Sequence, residues 1–287
     1  MKLRAPYQKD IDIIMSKRGH LDGEIWTTRD YRIGKGSPFS TRDVAIIFAE
    51  LGFTRKEQII QDIISTIFKT WQSDGRFRIT PTGSIFPCHT ITALRALCGL
   101  GCAKDVRLQS TFDHLFNIQH ADGGWRCNAV KLGKDSDSDC SNPGTTLEAL
   151  DAFRYTKYLN REVRLNKAVA FLLKHWELKR PLGPCRFGIG TLFNQVEYPF
   201  FRYNLFYYCH ALSFYDEAKH DPRFKVALSA LEQKLKDGRL IIENPNRRLS
   251  RMSFCMKGEP SDLATRRFRQ LRKRCHSKNY LPGKPQI

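Results

Sequence analysis

Residues 115–125 read Leu115-Phe-Asn-Ile-Gln119-His-Ala-Asp122-Gly123-Gly124-Trp125, and this stretch decides the fold. A helix-like run ends at a glutamine, an Asp-Gly turn follows, and a tryptophan lands just beyond it. Trp71-Gln72-Ser-Asp74-Gly75-Arg-Phe77 is a shorter copy; Asp22-Gly23-Glu-Ile-Trp26 and Asp237-Gly238-Arg-Leu240 are fainter ones. One further turn uses Pro181-Leu182-Gly183 instead. The spacing is about 50 to 60 residues, and self-similarity at such a period marks stacked supersecondary repeats. Each part of the motif has a physical role. Glycine permits a tight turn, glutamine can satisfy backbone groups at a helix end, and tryptophan can pack across to a neighbouring repeat.

Around these turns, apolar residues at helical spacing define pairs of helices. The first of each pair is expected near 7–18, 55–71, 104–118, 161–176 and 221–236, and the second near 41–52, 89–100, 144–156, 199–215 and 261–274. Ser40 and Ser261 are candidate N-caps, and Asp221-Pro222 combines a capping carboxylate with proline at the first helical position. Two second helices match directly: Pro87-Cys-His-Thr-Ile-Thr-Ala-Leu-Arg-Ala-Leu97 aligns with Pro143-Gly-Thr-Thr-Leu-Glu-Ala-Leu-Asp-Ala-Phe153. No strand-like alternation persists. The expectation is an all-α protein of five helical hairpins, wound as an α/α toroid with inner and outer helices and long loops at one end. A single domain is expected over 1–276, with a weakly ordered tail from about Cys275 and a flexible segment over 277–287.

The 115–125 segment resembles the QW repeat of squalene and hopene cyclases and of protein prenyltransferase β subunits. The resemblance extends as architecture over residues 7–274 and is motif-specific around 112–156. It implies a toroid whose inner helices line a central cavity. It also implies two site patterns, from which this chain departs. The cyclases carry Asp-x-Asp-Asp, whereas the nearest text here is Asp135-Ser-Asp137-Ser-Asp139. The prenyltransferase zinc takes an Asp and a Cys two residues apart, plus a later His. Here Asp139 and Cys140 are adjacent and Asp137 stands three before the cysteine, so that ligand set does not transfer.

Among 287 residues, 48 Lys and Arg face 29 Asp and Glu, a net charge of +19 that favours an anionic partner. Diphosphates, nucleic acids and acidic membrane surfaces all qualify. Part of the charge is concentrated late, in Arg247, Arg248 and Arg251 and then Arg266, Arg267, Arg269, Arg272, Lys273 and Arg274. No apolar run approaches the roughly 20 residues that span a bilayer, and the basic start lacks the apolar core of a signal peptide. A cytoplasmic location is the expectation. Nine cysteines in a reducing compartment point to free thiols or metal ligands.

Four of those cysteines occupy loops between paired helices: Cys88, Cys127, Cys140 and Cys185. Were the repeats to stack in register, their sulfurs would meet at one rim and suit zinc or an iron–sulfur cluster. Unrelated buried thiols are the alternative, as is a single reactive cysteine with His89 as its base; His89 could also replace one of the four sulfurs. Cys255 is a further candidate ligand. Cys98, Cys102 and Cys209 read as core, and Cys275 as a tail thiol. Asp135, Asp137 and Asp139 suit either a divalent ion or a solvated acidic loop.

The stretch Tyr198-Pro-Phe-Phe-Arg202-Tyr203-Asn204-Leu-Phe206-Tyr207-Tyr208-Cys-His210 is the most aromatic in the chain. It suits either an isoprenoid-lining wall or ordinary core packing. Arg202 needs an anionic partner, which a diphosphate, Glu148 or Asp151 would supply. His89, Arg202 and Tyr203 are the candidate catalytic residues. Three functional readings stay open. One is an isoprenoid-type enzyme acting on a diphosphate; the second is a metal-stabilised structural or binding protein; the third is a basic nucleic-acid-associated protein. A partner subunit closing the ring is compatible with each.

Overall fold

The computed structural model describes residues 5–127 and 135–276. The chain divides into two compact units, Met1–Ile118 and Gln119–Ile287. The first holds α1 (Gln8–Met15), α2 (Thr41–Glu50), α3 (Gln58–Phe68), α4 (Pro87–Gly99) and α5 (Val106–Asn117). The second holds α6 (Pro143–Phe153), α7 (Val163–Leu178), α8 (Leu205–Leu212), α9 (Asp216–His220), α10 (Pro222–Glu232) and α11 (Asp262–His276). One two-stranded hairpin, β1 (Leu235–Lys236) with β2 (Arg239–Leu240), is the sheet among the described residues. The all-α expectation holds. In the first unit α2 and α4 pack together, with α3 against both and α5 against α4; in the second, α8 packs against α6, α10 and α11.

The expected caps are made. Ser40 Oγ accepts from Asp43 N–H at 3.3 Å, Asp221 Oδ1 from Arg223 N–H at 2.8 Å, and Ser261 Oγ from Ala264 N–H at 3.2 Å. The aligned threonines at 90 and 146 also have a reason. Thr90 Oγ1 accepts from Phe77 N–H (3.1 Å) and Thr146 Oγ1 from Trp125 N–H (3.1 Å). Thr265 does the same for Leu240 N–H (3.0 Å), a third instance that the alignment did not contain. In these three repeats a helix hydroxyl satisfies the buried amide of the residue just past the Asp-Gly turn.

The turn glycines are required twice over. Gly75 and Gly123 have φ of 87° and 94°, in the left-handed region that favours glycine. A Cβ on Gly75 would stand 2.3 Å from the Ser110 carbonyl oxygen of α5. On Gly123 it would stand 2.5 Å from the Lys167 backbone of α7. Each turn abuts the next outer helix. Gln119 extends that junction, donating from Nε2 to the Gly123 and Arg164 carbonyls at 2.6 and 3.0 Å. Its partners are thus a turn carbonyl and one in the first turn of α7, instead of orphaned helix-end groups. Trp125, fully buried, stacks on Phe153 at 6.0 Å.

Three expectations change. The helix expected from 199 begins only at Leu205, because Asn204 takes an extended backbone and its Oδ1 accepts from Tyr207 N–H at 2.9 Å. Asp237 and Gly238 both have positive φ (49° and 72°), which closes a tight hairpin between strands too short to show alternation. Cys275 lies in the last turn of α11 and is no tail thiol. The flexible tail expected over 277–287 lies outside the described residues.

Candidate functional site

Three of the four loop cysteines belong to the second unit, where their loops meet. Asn142, fully buried, ties two of them together. Its backbone N–H donates to the Trp125 carbonyl (2.9 Å), and its Oδ1 accepts from Cys185 N–H (3.0 Å). The Asp137 carbonyl accepts from both Gly183 N–H (2.7 Å) and the Cys140 thiol (3.1 Å). Burial pushes the Cys140 thiol up, and burial followed by the neighbouring Cys127 does the same to Cys185. Cys88 lies in the first unit, half-buried in the first turn of α4.

Zinc or an iron–sulfur cluster requires several donors converging on one point. Among the described residues no three His, Cys, Asp or Glu side chains gather in that way. The Cys140 proton is engaged by a carbonyl, Cys127 is buried, and Cys185 sits exposed on a turn. Cys255 is buried too, its thiol directed at the Leu249 carbonyl. The acidic loop is likewise committed to protein partners. Asp135 accepts from the amides of Asp137 and Ser138 and from the Ser138 hydroxyl; Asp137 pairs with Arg180 and Asp139 with Arg126.

His89 is 8% exposed, and one ring nitrogen bonds the Arg78 backbone while Nε2 is buried with no hydrogen-bond partner. Burial, reinforced by the Arg42 charge, lowers its pKa to about 4. Such an imidazole stays neutral and is too weak a base to draw a proton from Cys88 near neutrality.

The aromatic stretch is packed solid. Phe200 stacks on Tyr207 and on His210, each at 5.0 Å, and Phe200, Phe206, Tyr207 and Tyr208 are at most 2% exposed. The Tyr207 hydroxyl donates to Asp151 at 2.9 Å, and Asp151 also pairs with Arg154. Tyr203 donates its hydroxyl to His175 Nδ1 (2.9 Å), whose Nε2 bonds the Arg180 carbonyl (3.1 Å). Burial pushes the Tyr203 phenol well above its usual range and the His175 imidazole below its own. Arg202 finds neither Glu148 nor Asp151. It pairs with Glu197 and donates to the Asn244 carbonyl at 2.8 Å. Glu197, which sequence reasoning passed over, is 3% exposed with Oε1 unpartnered. Burial outweighs the Arg202 pair and raises its pKa to about 7. No local pattern announces this, since the carboxyl is buried by partners distant in sequence.

The late basic run behaves differently. The hairpin joins α11 through Ser261 N–H to the Leu240 carbonyl (3.0 Å) and through the Thr265 hydroxyl already described. Beside that junction lies a cleft of about 320 Å³ lined by Leu235, Gly238, Phe268, Arg269, Arg272, Lys273 and His276. Arg272 pairs with Glu232 at 3.1 Å, and among the described residues no acidic side chain lines the cleft. The first unit has a cleft of about 500 Å³ lined by Arg55, Gln61, Ile64, Ser65, Phe68 and Arg107. There Arg107 lies 3.4 Å over the Phe68 ring and bonds Asp105 through two nitrogens.

No family model matches this chain, and neither does any curated protein. Among solved structures it is similar to the type II terpene cyclase MstE from Scytonema. Against MstE without ligand the TM-score is 0.46 at 12% identity, covering 95% of this chain and 73% of that one. Against an MstE variant in complex with geranylgeranyl dihydroxybenzoate it is 0.47 at 12% identity, covering 94% and 72%. At this level no substrate and no residue role passes to this chain. Among the described residues no helix is long and apolar enough to cross a membrane.

Proposed function

We propose that the protein binds a ligand joining a phosphate or diphosphate head to an apolar chain, of the isoprenyl diphosphate kind. The site is the cleft between the β1–β2 hairpin and α11. One observation carries this reading: Leu235 and Phe268 share a single cavity with Arg269, Arg272, Lys273 and His276. Apolar lining with a few convergent polar groups is the usual makeup of a small-molecule site, although about 320 Å³ is near the small end of the range. Arginine suits phosphate because its planar fork donates two parallel hydrogen bonds. The reading is one of binding.

Calorimetric titration with an isoprenyl diphosphate, inorganic diphosphate, the matching isoprenyl alcohol and a DNA duplex tests it. The isoprenyl diphosphate is expected to bind at least tenfold more tightly than either fragment. Arg269→Ala combined with Arg272→Ala should cost a further factor of about ten or more, since each charged hydrogen bond is worth roughly 1.5–3 kcal/mol. Equal binding of inorganic diphosphate would remove the apolar half of the proposal.

The second reading, a nucleic-acid backbone, is favoured by the run of exposed cations at Arg266, Arg269, Arg272 and Lys273 along α11. It wins if the duplex binds more tightly than the isoprenyl diphosphate and loses affinity steeply with salt.

A further inference from the structure

The loops of the second unit that carry Cys127, Cys140 and Cys185 are joined by hydrogen bonds. Asn142 bonds both the Trp125 carbonyl and the Cys185 amide, so the chain entering Cys127 and the chain at Cys185 share one buried anchor. The approach is close: a Cβ on Gly183 would stand 2.5 Å from Asn142 Oδ1, and one on Gly124 would stand 2.5 Å from the Ser141 side chain. Leu182 and Phe187 pair across the turn through two backbone hydrogen bonds of 2.8 and 3.0 Å, presenting Cys185 at its exposed tip. Cys127 and Cys185 are near enough that the charge of one hinders ionisation of the other. Cys140 belongs to the same knot of loops, but its thiol points at the Asp137 carbonyl.

We propose that Cys127 and Cys185 form a reversible dithiol–disulfide couple that pins the 183–187 turn to the segment following Trp125. The oxidant is a peroxide. The Cys185 thiolate, the accessible one, attacks a peroxide oxygen, the O–O bond breaks, and a sulfenic acid and water result. The Cys127 thiolate then attacks that sulfur and expels a second water as the S–S bond forms. Two thiols lose two electrons and two protons, and hydrogen peroxide takes both to become two waters. Thiol–disulfide exchange with a reducing dithiol reverses the change. The upward displacement of the Cys185 thiol makes the first step slow at neutral pH. It should quicken about tenfold per pH unit while the thiol is mainly protonated.

The test uses the full chain, treated with hydrogen peroxide, quenched, alkylated and weighed intact. Two of the nine cysteines should escape alkylation, and peptide mapping should show 127 joined to 185. Dithiothreitol should restore both. Cys140→Ser should leave the bond intact, whereas Cys185→Ser, at an exposed position that puts folding at little risk, should abolish it. Oxidation of Cys185 onward to sulfinic acid with Cys127 still alkylatable would overturn the proposal. So would a bond from Cys185 to Cys140.

Discussion

The aromatic stretch around Tyr198–His210 and the basic helix α11 present opposite lessons. Aromatic density suited either a cavity wall or a packed core, and its rings stack on one another with their polar ends matched: Tyr203 to His175, Tyr207 to Asp151, Arg202 to Glu197. Basic density favoured an anionic partner, and Arg269, Arg272 and Lys273 border a cleft with Leu235 and Phe268 beside them. Apolar groups leave water wherever they can, and a run of large rings therefore fills a core by default. Cations cannot be buried without partners. They stay at the surface, where a ligand can reach them.

The sharpest way to break this contrast is to empty the aromatic core. Phe206→Ala should cost about 3–5 kcal/mol in denaturant unfolding, the range for a large buried ring. A cost below about 1 kcal/mol would mean the ring faces a cavity after all. Arg269→Ala, by comparison, should change stability by no more than about 0.5 kcal/mol while weakening ligand binding.

Glu197 gives the next largest effect. Its pKa is raised to about 7, so between the ordinary carboxylate value and 7 the folded state holds a proton that the unfolded state has released. Stability from this group therefore falls as pH rises through that window, by about 3 kcal/mol in all. Glu197→Gln should remove the slope. The variant should exceed the wild type most at pH 8 and match it near pH 4, as read by urea midpoints. An unchanged difference across that range would show that the Arg202 pair outweighs burial.

A smaller loss than that at Phe206 sharpens the repeat itself. Thr146→Val should cost about 1–3 kcal/mol, because the buried Trp125 amide loses its acceptor. Thr90→Val should cost a similar amount through Phe77. If only one of the pair mattered, the two turns would not be energetic equivalents.

Much of this framework was legible beforehand. Ser40, Ser261 and Asp221-Pro222 each capped the helix that their local chemistry implied, and the aligned threonines mark a repeated hydrogen bond. The late start of α8 was misread because apolar spacing outweighed Asn204, whose capping side chain was visible in the text. The hairpin escaped because two-residue strands carry no periodicity. For the site, the basic run was visible, but Phe268 and Leu235 became its companions only through packing.

Local chemistry by itself determined the helices, their caps and the glycine turns, since those depend on residues within a turn or two of each other. Only the tertiary structure decided that Asn142 joins the Cys185 turn to Trp125, that Arg202 meets Glu197, and that α11 and the hairpin border a cleft. Such outcomes depend on distances between segments far apart along the chain. Solvent exclusion, which sets the charge state of Glu197 and His89, exists only once those segments have come together.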